Sequence, residues 1–169
     1  MRLDIRSALK NPGQSYPFRA EVEIMPMDVL SETVTFSDVM VEGEFVGAGE
    51  SVRIMGNCRG KVAAHCALCL VPISQGVSTM VDEVFAKDPD ASDPDQYPLN
   101  GYEIELGDIA QDALLLALPM RFLCREDCEG LCPTCGVNLN RQRCTCHEGR
   151  SQKHPFAALS GLLTEDEEV

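Results

Sequence analysis

The sequence of 169 residues predicts an α+β fold: an antiparallel β-sheet body with one buried helix, then a compact cysteine-rich ribbon and a short terminal helix. Three observations predict it. As far as Phe85 the chain is built from runs in which apolar and polar residues alternate, the period of half-buried strands. Between Ile109 and Leu118 the apolar residues cover most of a helical circumference. Beyond Pro119 cysteines dominate the pattern. These changes of pattern divide the chain into a body, residues 1–118, and a cysteine-rich segment, residues 119–169.

The elements follow in order. Leu3 and Ile5 alternate with charged residues, as a first strand would, and Asn11-Pro12-Gly13 marks a turn. Residues 18–25, 32–36, 39–46, 51–55 and 61–64 read as short antiparallel strands. Gly47-Ala48-Gly49-Glu50 reads as a hairpin turn. It is no phosphate loop, because neither a helical pattern nor Lys-Ser/Thr follows. Residues 71–85 return as a further strand. Residues 88–100 (DPDASDPDQYPLN) read as a solvated acidic loop; the aspartates lack calcium-loop spacing. Residues 102–106 make one more strand. Asp108 then caps a helix with Gln111 as its capping-box partner, and the helix runs to Leu118, where Pro119 ends it. Its apolar surface predicts burial, against the sheet in the preferred reading or else against a partner. Residues 154–163 (HPFAALSGLL) read as a short amphipathic helix with Pro155 in its first turn, followed by an acidic, disordered tail.

Composition narrows the function. The formal charge is −13, so the chain as a whole repels a phosphate backbone, and any nucleic-acid contact must be a local patch. Trp is absent and aromatic residues are 5%, too few for a base-stacking platform. No apolar run reaches the ~18 residues of a membrane span, and none at the start has signal-peptide length. The expectation is a cytoplasmic protein with reduced thiols and no membrane contact.

Eight of the nine cysteines then fall into four close pairs: Cys66 with Cys69, Cys124 with Cys128, Cys132 with Cys135, and Cys144 with Cys146. Zinc takes four thiolates in a tetrahedron, and a C-x2-C turn aims two sulfurs at one metal, so four pairs suit two zinc ions per chain. The preferred grouping joins Cys132, Cys135, Cys144 and Cys146 in a sequence-local site, because a short loop closes at low entropic cost. Cys66, Cys69, Cys124 and Cys128 then meet across the fold. A single site with redox-active or free thiols and a disulfide framework are the competing readings. Closed sets of thiolates leave no coordination position for a water nucleophile, so the sites read as structural. His65, His147 and His154 are alternative ligands. Cys58 is left over, either a buried free thiol or a substitute ligand.

Arg141, Arg143, Arg150 and Lys153 reverse the acidic trend locally, with Arg121 and Arg125 upstream. They are candidate contacts for RNA or an acidic partner; a solvated face drawn to nearby thiolates is the plainer reading. No Ser-His-Asp order, nucleophile elbow or phosphate loop occurs, so no enzyme is expected.

Taken together, CALCL, IELGDIAQDALLLALPM, LCREDCEGLCPTCGVNLN with its trailing CTC, and HPFAALSGL resemble the YceD family. This bacterial and plastid family is described as acting in accumulation of large-subunit ribosomal RNA. The resemblance runs from about Ser51 to the C-terminus and is specific between Leu106 and Cys146; earlier residues match only in being strand-rich. It implies a ribosome-biogenesis factor with ribosomal RNA or ribosome-assembly proteins as partners, no catalysis and no small-molecule substrate. Some members keep the mid-chain cysteine pair and a His/Cys pair at the places of Cys124 and Cys128 but lack the last four cysteines. That implies one shared site and one added ribbon site. Alternatives are a zinc-stapled protein adapter without RNA contact and a thiol redox protein using Cys66 and Cys69.

Overall fold

The structure, a computed structural model, describes residues 1–29, 32–89 and 96–146. The short entry strand β1 (Arg2–Asp4) leads into helix α1 (Arg6–Lys10). Strands β2 (Ser15–Glu21), β3 (Met27–Val29), β4 (Glu32–Ala48), β5 (Ser51–His65), β6 (Pro72–Ala86) and β7 (Gln96–Pro98) follow, then β8 (Glu103–Glu105) and helix α2 (Leu106–Leu116). The main sheet has the order β2-β4-β5-β6-β7, with β3 added beside β4; β1 and β8 form a separate ribbon.

The sheet is mixed. Its long pairings, β2 with β4, β4 with β5 and β5 with β6, are antiparallel, but β7 pairs parallel with the end of β6. β7 falls inside the stretch expected to be loop, because prolines and aspartates there hide a three-residue strand. The strands are also longer than expected. Runs 32–36 and 39–46 are one strand, interrupted by a bulge between Ser37 and Met40 with Asp38 at φ 53°. A bulge inserts a residue and breaks the period-two pattern, so one strand reads as two. Runs 51–55 and 61–64 likewise join in β5, across Gly56 and Gly60.

The sequence gives no sign of α1: five residues are too few to display a helical period, although Ile5 just before it and Ala8 within it are fully buried. α2 begins at Leu106, not Asp108. Its cap position is Glu105, which makes no side-chain cap hydrogen bond, so Asp108 and Gln111 form no capping box. The pull of fully buried Leu106 into the core, and its N–H donating to the Met1 carbonyl at 2.9 Å, set the start instead.

One face of α2 (Ile109, Ala110 and Leu114) packs with Ile5 and Ala8 onto Val41, Val52, Ile54, Val81 and Phe85 of the sheet. Packing then continues along the sheet through Val34, Val62, Ala64 and Phe122 to a third cluster around Cys66, Cys69 and Cys128. Because Leu114 is fully buried while Leu116 is 87% exposed, two truncations on one helix should differ sharply. Leu114→Ala is expected to cost about 2–5 kcal/mol in urea denaturation, and Leu116→Ala well under about 1 kcal/mol. The expected terminal helix at 154–163 and the tail after it lie outside the described residues. Among the described residues no helix is long and apolar enough to cross a membrane.

Candidate metal centres

The first centre is built at the turn joining β5 to β6. The Cys66 N–H donates to the Val71 carbonyl and the Leu70 N–H to the Cys66 carbonyl, each at 2.9 Å, while Leu70 takes a left-handed φ of 59°. This turn presents Cys66 and Cys69 to one side. The chain returning from α2 is pinned there: the Phe122 ring is buried beside Val62 and Ala64, and its carbonyl accepts the Ala67 N–H at 2.8 Å. Cys124 and Cys128 follow at once. The Cys69 and Cys124 sulfurs lie 3.6 Å apart, the Cys66 and Cys128 sulfurs 3.7 Å apart.

The second centre is local. Leu131 and Asn138 form an isolated antiparallel bridge. Within it the Cys132 N–H reaches the Val137 carbonyl and the Gly136 N–H the Cys132 carbonyl, each at 2.8 Å. Gly136 sits at φ 73°, where a side chain would strain the knuckle. Cys144 lies 3.4 Å from both Cys132 and Cys135, sulfur to sulfur. In each quartet, Cys66, Cys69, Cys124, Cys128 and Cys132, Cys135, Cys144, Cys146, all four sulfurs lie within 4.8 Å of one another. A tetrahedron with metal–sulfur bonds of about 2.3 Å has edges of about 3.8 Å, so each cavity has the size a tetrathiolate ion needs. None of the nine cysteines is in a disulfide.

The electrostatics point the same way. Burial pushes the Cys66 thiol up, but the backbone amides of Cys124, Cys69 and Leu68 outweigh it and bring it down to about 6. The amides of Cys135 and Thr134 bring Cys132 down to about 6. The converse holds for a neighbour in each set. Burial and then the sulfurs of Cys69, Cys128 and Cys66 push Cys124 up to about 12. Cys144 also rises to about 12: the Cys146 amide favours its thiolate, but the sulfurs of Cys146, Cys132 and Cys135 outweigh that. Backbone donors thus favour the thiolate at Cys66 and at Cys132, while Cys124 and Cys144 beside them are held protonated. A dication at the centre removes that conflict.

The His65 imidazole meets the Glu32 carboxylate at 3.0 Å and belongs to neither quartet. Cys58 lies mid-strand in the main core with no exposure, and burial pushes its thiol up to about 11, so it is an inert apolar filler. Arg141 and Arg143 are exposed beside the second quartet. Arg150, Lys153, His147 and His154 lie outside the described residues. Arg125 is engaged, 3.3 Å from Asp127 and 2.6 Å from the Asn140 side-chain oxygen. On β5 three exposed cations lie against carboxylates: Arg53 against Asp82 at 2.6 Å, Lys61 against Asp38 at 2.8 Å, and Arg59 at 3.1 Å from Glu42, which Arg19 shares at 3.7 Å.

A family model described as "Large ribosomal RNA subunit accumulation protein YceD" matches residues 54–163. The chain is 30% identical over 152 residues to an uncharacterized protein of Mycobacterium tuberculosis, covering 82% of this chain and 70% of that one. It is 24% identical over 128 residues to the chloroplastic large ribosomal RNA subunit accumulation protein YCED homolog 1 of Zea mays, covering 56% of this chain and 44% of that one. With the homolog 1 of Arabidopsis thaliana it shares 33% identity over 76 residues, 45% of this chain and 23% of that one. No solved structure matches.

Proposed function

The chain belongs to the YceD family, and on that premise we propose that it supports accumulation of large-subunit ribosomal RNA in the cytoplasm as a non-catalytic zinc protein. The match over residues 54–163 carries this reading. Each quartet would hold one structural zinc: Cys66, Cys69, Cys124 and Cys128 in the first, Cys132, Cys135, Cys144 and Cys146 in the second. Zinc supplies a fixed tetrahedral crosslink, and with four thiolates around it no position is left for water. The body, residues 1–118, would act as the platform for a ribbon segment, residues 119–169.

RNA, if touched directly, is met by the exposed Arg141 and Arg143, with Arg150 and Lys153 as further candidates. A second reading, a zinc-stapled adapter that binds only ribosome-assembly proteins, draws support from the net charge of −13 and the paired cations of β5. Cells lacking the protein should show a lowered ratio of large- to small-subunit ribosomal RNA, restored by the wild-type chain. An unchanged ratio would remove the function. For direct contact, the wild type should shift large-subunit RNA at low salt, and Arg141→Glu with Arg143→Glu should abolish the shift. A wild type that does not bind at low salt leaves the adapter reading.

A further inference from the structure

The second quartet does not merely follow the first along the chain; the two are joined by one side chain. Asn140 lies in the loop between Cys135 and Cys144, yet its Nδ2 donates to Cys128 Sγ of the first quartet at 3.3 Å. Its other Nδ2 proton goes to Asn138 Oδ1 at 2.9 Å. Its Oδ1 accepts the Glu129 N–H at 2.9 Å and an Arg125 guanidinium N–H at 2.6 Å. A carboxamide offers two donors and two acceptor lone pairs, so every hydrogen-bonding capacity of Asn140 is used. The pattern also fixes the amide orientation, since both groups facing Oδ1 can only donate.

The loop that carries Asn140 is itself tied back to the segment that leads into the second quartet. The Leu139 N–H reaches the Gly130 carbonyl at 2.9 Å, and the Arg141 N–H reaches the Asn138 carbonyl at 3.0 Å. Cys132, Cys135 and Cys144 bracket this stretch, so closing their quartet sets the place of Asn140. On the other side the Leu131 N–H donates to the Leu68 carbonyl at 3.0 Å, inside the knuckle of Cys66 and Cys69. Gly130, at φ 75°, leaves room for this: a Cβ there would come within 3.1 Å of the same Leu68 carbonyl.

We propose that Asn140 is a positioning residue that couples the two metal centres, so that a filled second quartet tightens metal binding by the first through the Asn140 N–H···S bond to Cys128. An N–H donor disperses thiolate charge and fixes the direction of the sulfur lone pairs, which is how outer groups tune a metal ligand. Coupling of this kind is reciprocal, so metal in the first quartet also favours the second. The inference rests on the metal-binding reading of the quartets.

Competitive cobalt titration, read on the sulfur-to-cobalt charge-transfer band, tests it in a four-way cycle: wild type, Asn140→Ala, Cys132→Ser with Cys135→Ser, and all three changes together. In the intact chain Asn140→Ala should weaken the first centre about tenfold. Without the second quartet that centre should already be weakened, and Asn140→Ala should add less than about twofold. Equal weakening in both backgrounds, or in neither, would overturn the coupling. Asn140→Asp keeps the acceptor oxygens and loses the donor, so it should weaken the first centre at least as much as Asn140→Ala; wild-type affinity in Asn140→Asp would also overturn it. Failure of the metal reading is distinguishable, since the wild type would then show no charge-transfer band before any variant is compared.

Discussion

Replacing Cys66 and Cys69 by serine is expected to drop bound zinc from about two to about one per chain and to lower the unfolding midpoint by on the order of 10 °C or more. The size follows from where the first quartet sits. It ties the turn between β5 and β6 to residues 55 and 62 positions away along the chain, and its sulfurs are part of the apolar packing around Val71, Leu123 and Leu131. With a metal bound there, its loss would open a long loop and leave buried thiols crowded without a counter-charge. The second quartet makes the contrast. Its close contacts span 9 and 12 positions, so Cys132→Ser with Cys135→Ser should also remove about one zinc but shift the midpoint by only a few degrees. Elemental analysis with thermal denaturation of both variants decides it. Equal shifts would contradict the assignment of the first quartet as the link between tail and body.

Some of this was readable from the residues alone, and the reason differs from place to place. The four cysteine pairs were visible because each is a local turn with its own spacing, and the grouping of sulfurs in space follows loop-closure cost. The lengths of β4 and β5 were not visible, because Asp38 in its bulge and Gly43, Gly56 and Gly60 interrupt the alternation a strand displays. α1 and β7 are too short to carry a period. α2 was visible as an apolar helix, but its start was misplaced, since Asp108 offered local capping chemistry while the burial of Leu106 won. Asn140 carried no signal at all. Its partners Glu129, Arg125 and Cys128 lie 11, 15 and 12 positions away and are meaningful only once the ribbon is folded.

Gly43→Ala is expected to destabilise the chain by about 3 kcal/mol or more, an unusually large effect for a single methyl group. Gly43 and Gly56 face each other as register partners near the middle of the paired β4 and β5 strands. A Cβ on Gly43 would overlap the Met55 carbonyl and come within 2.5 Å of the Gly56 Cα; one on Gly56 would overlap the Glu42 carbonyl. Each obstacle is backbone, so no side-chain rotation relieves it, and the strands must separate where the core is packed by Val41, Ile54 and Cys58. Gly76 in β6 faces open space instead: a Cβ there would meet nothing within 4 Å, so Gly76→Ala should be neutral or stabilising by up to about 1 kcal/mol. Urea midpoints of the two variants give the comparison, and a Gly43→Ala protein as stable as wild type would refute the close approach of β4 and β5. Metal content sharpens the result. The first quartet begins at Cys66, ten residues beyond Gly56 along β5 and so about 30 Å away. Under conditions where Gly43→Ala still folds it should therefore retain about two zinc ions per chain, the loss of stability arising in the sheet and not at the sulfurs.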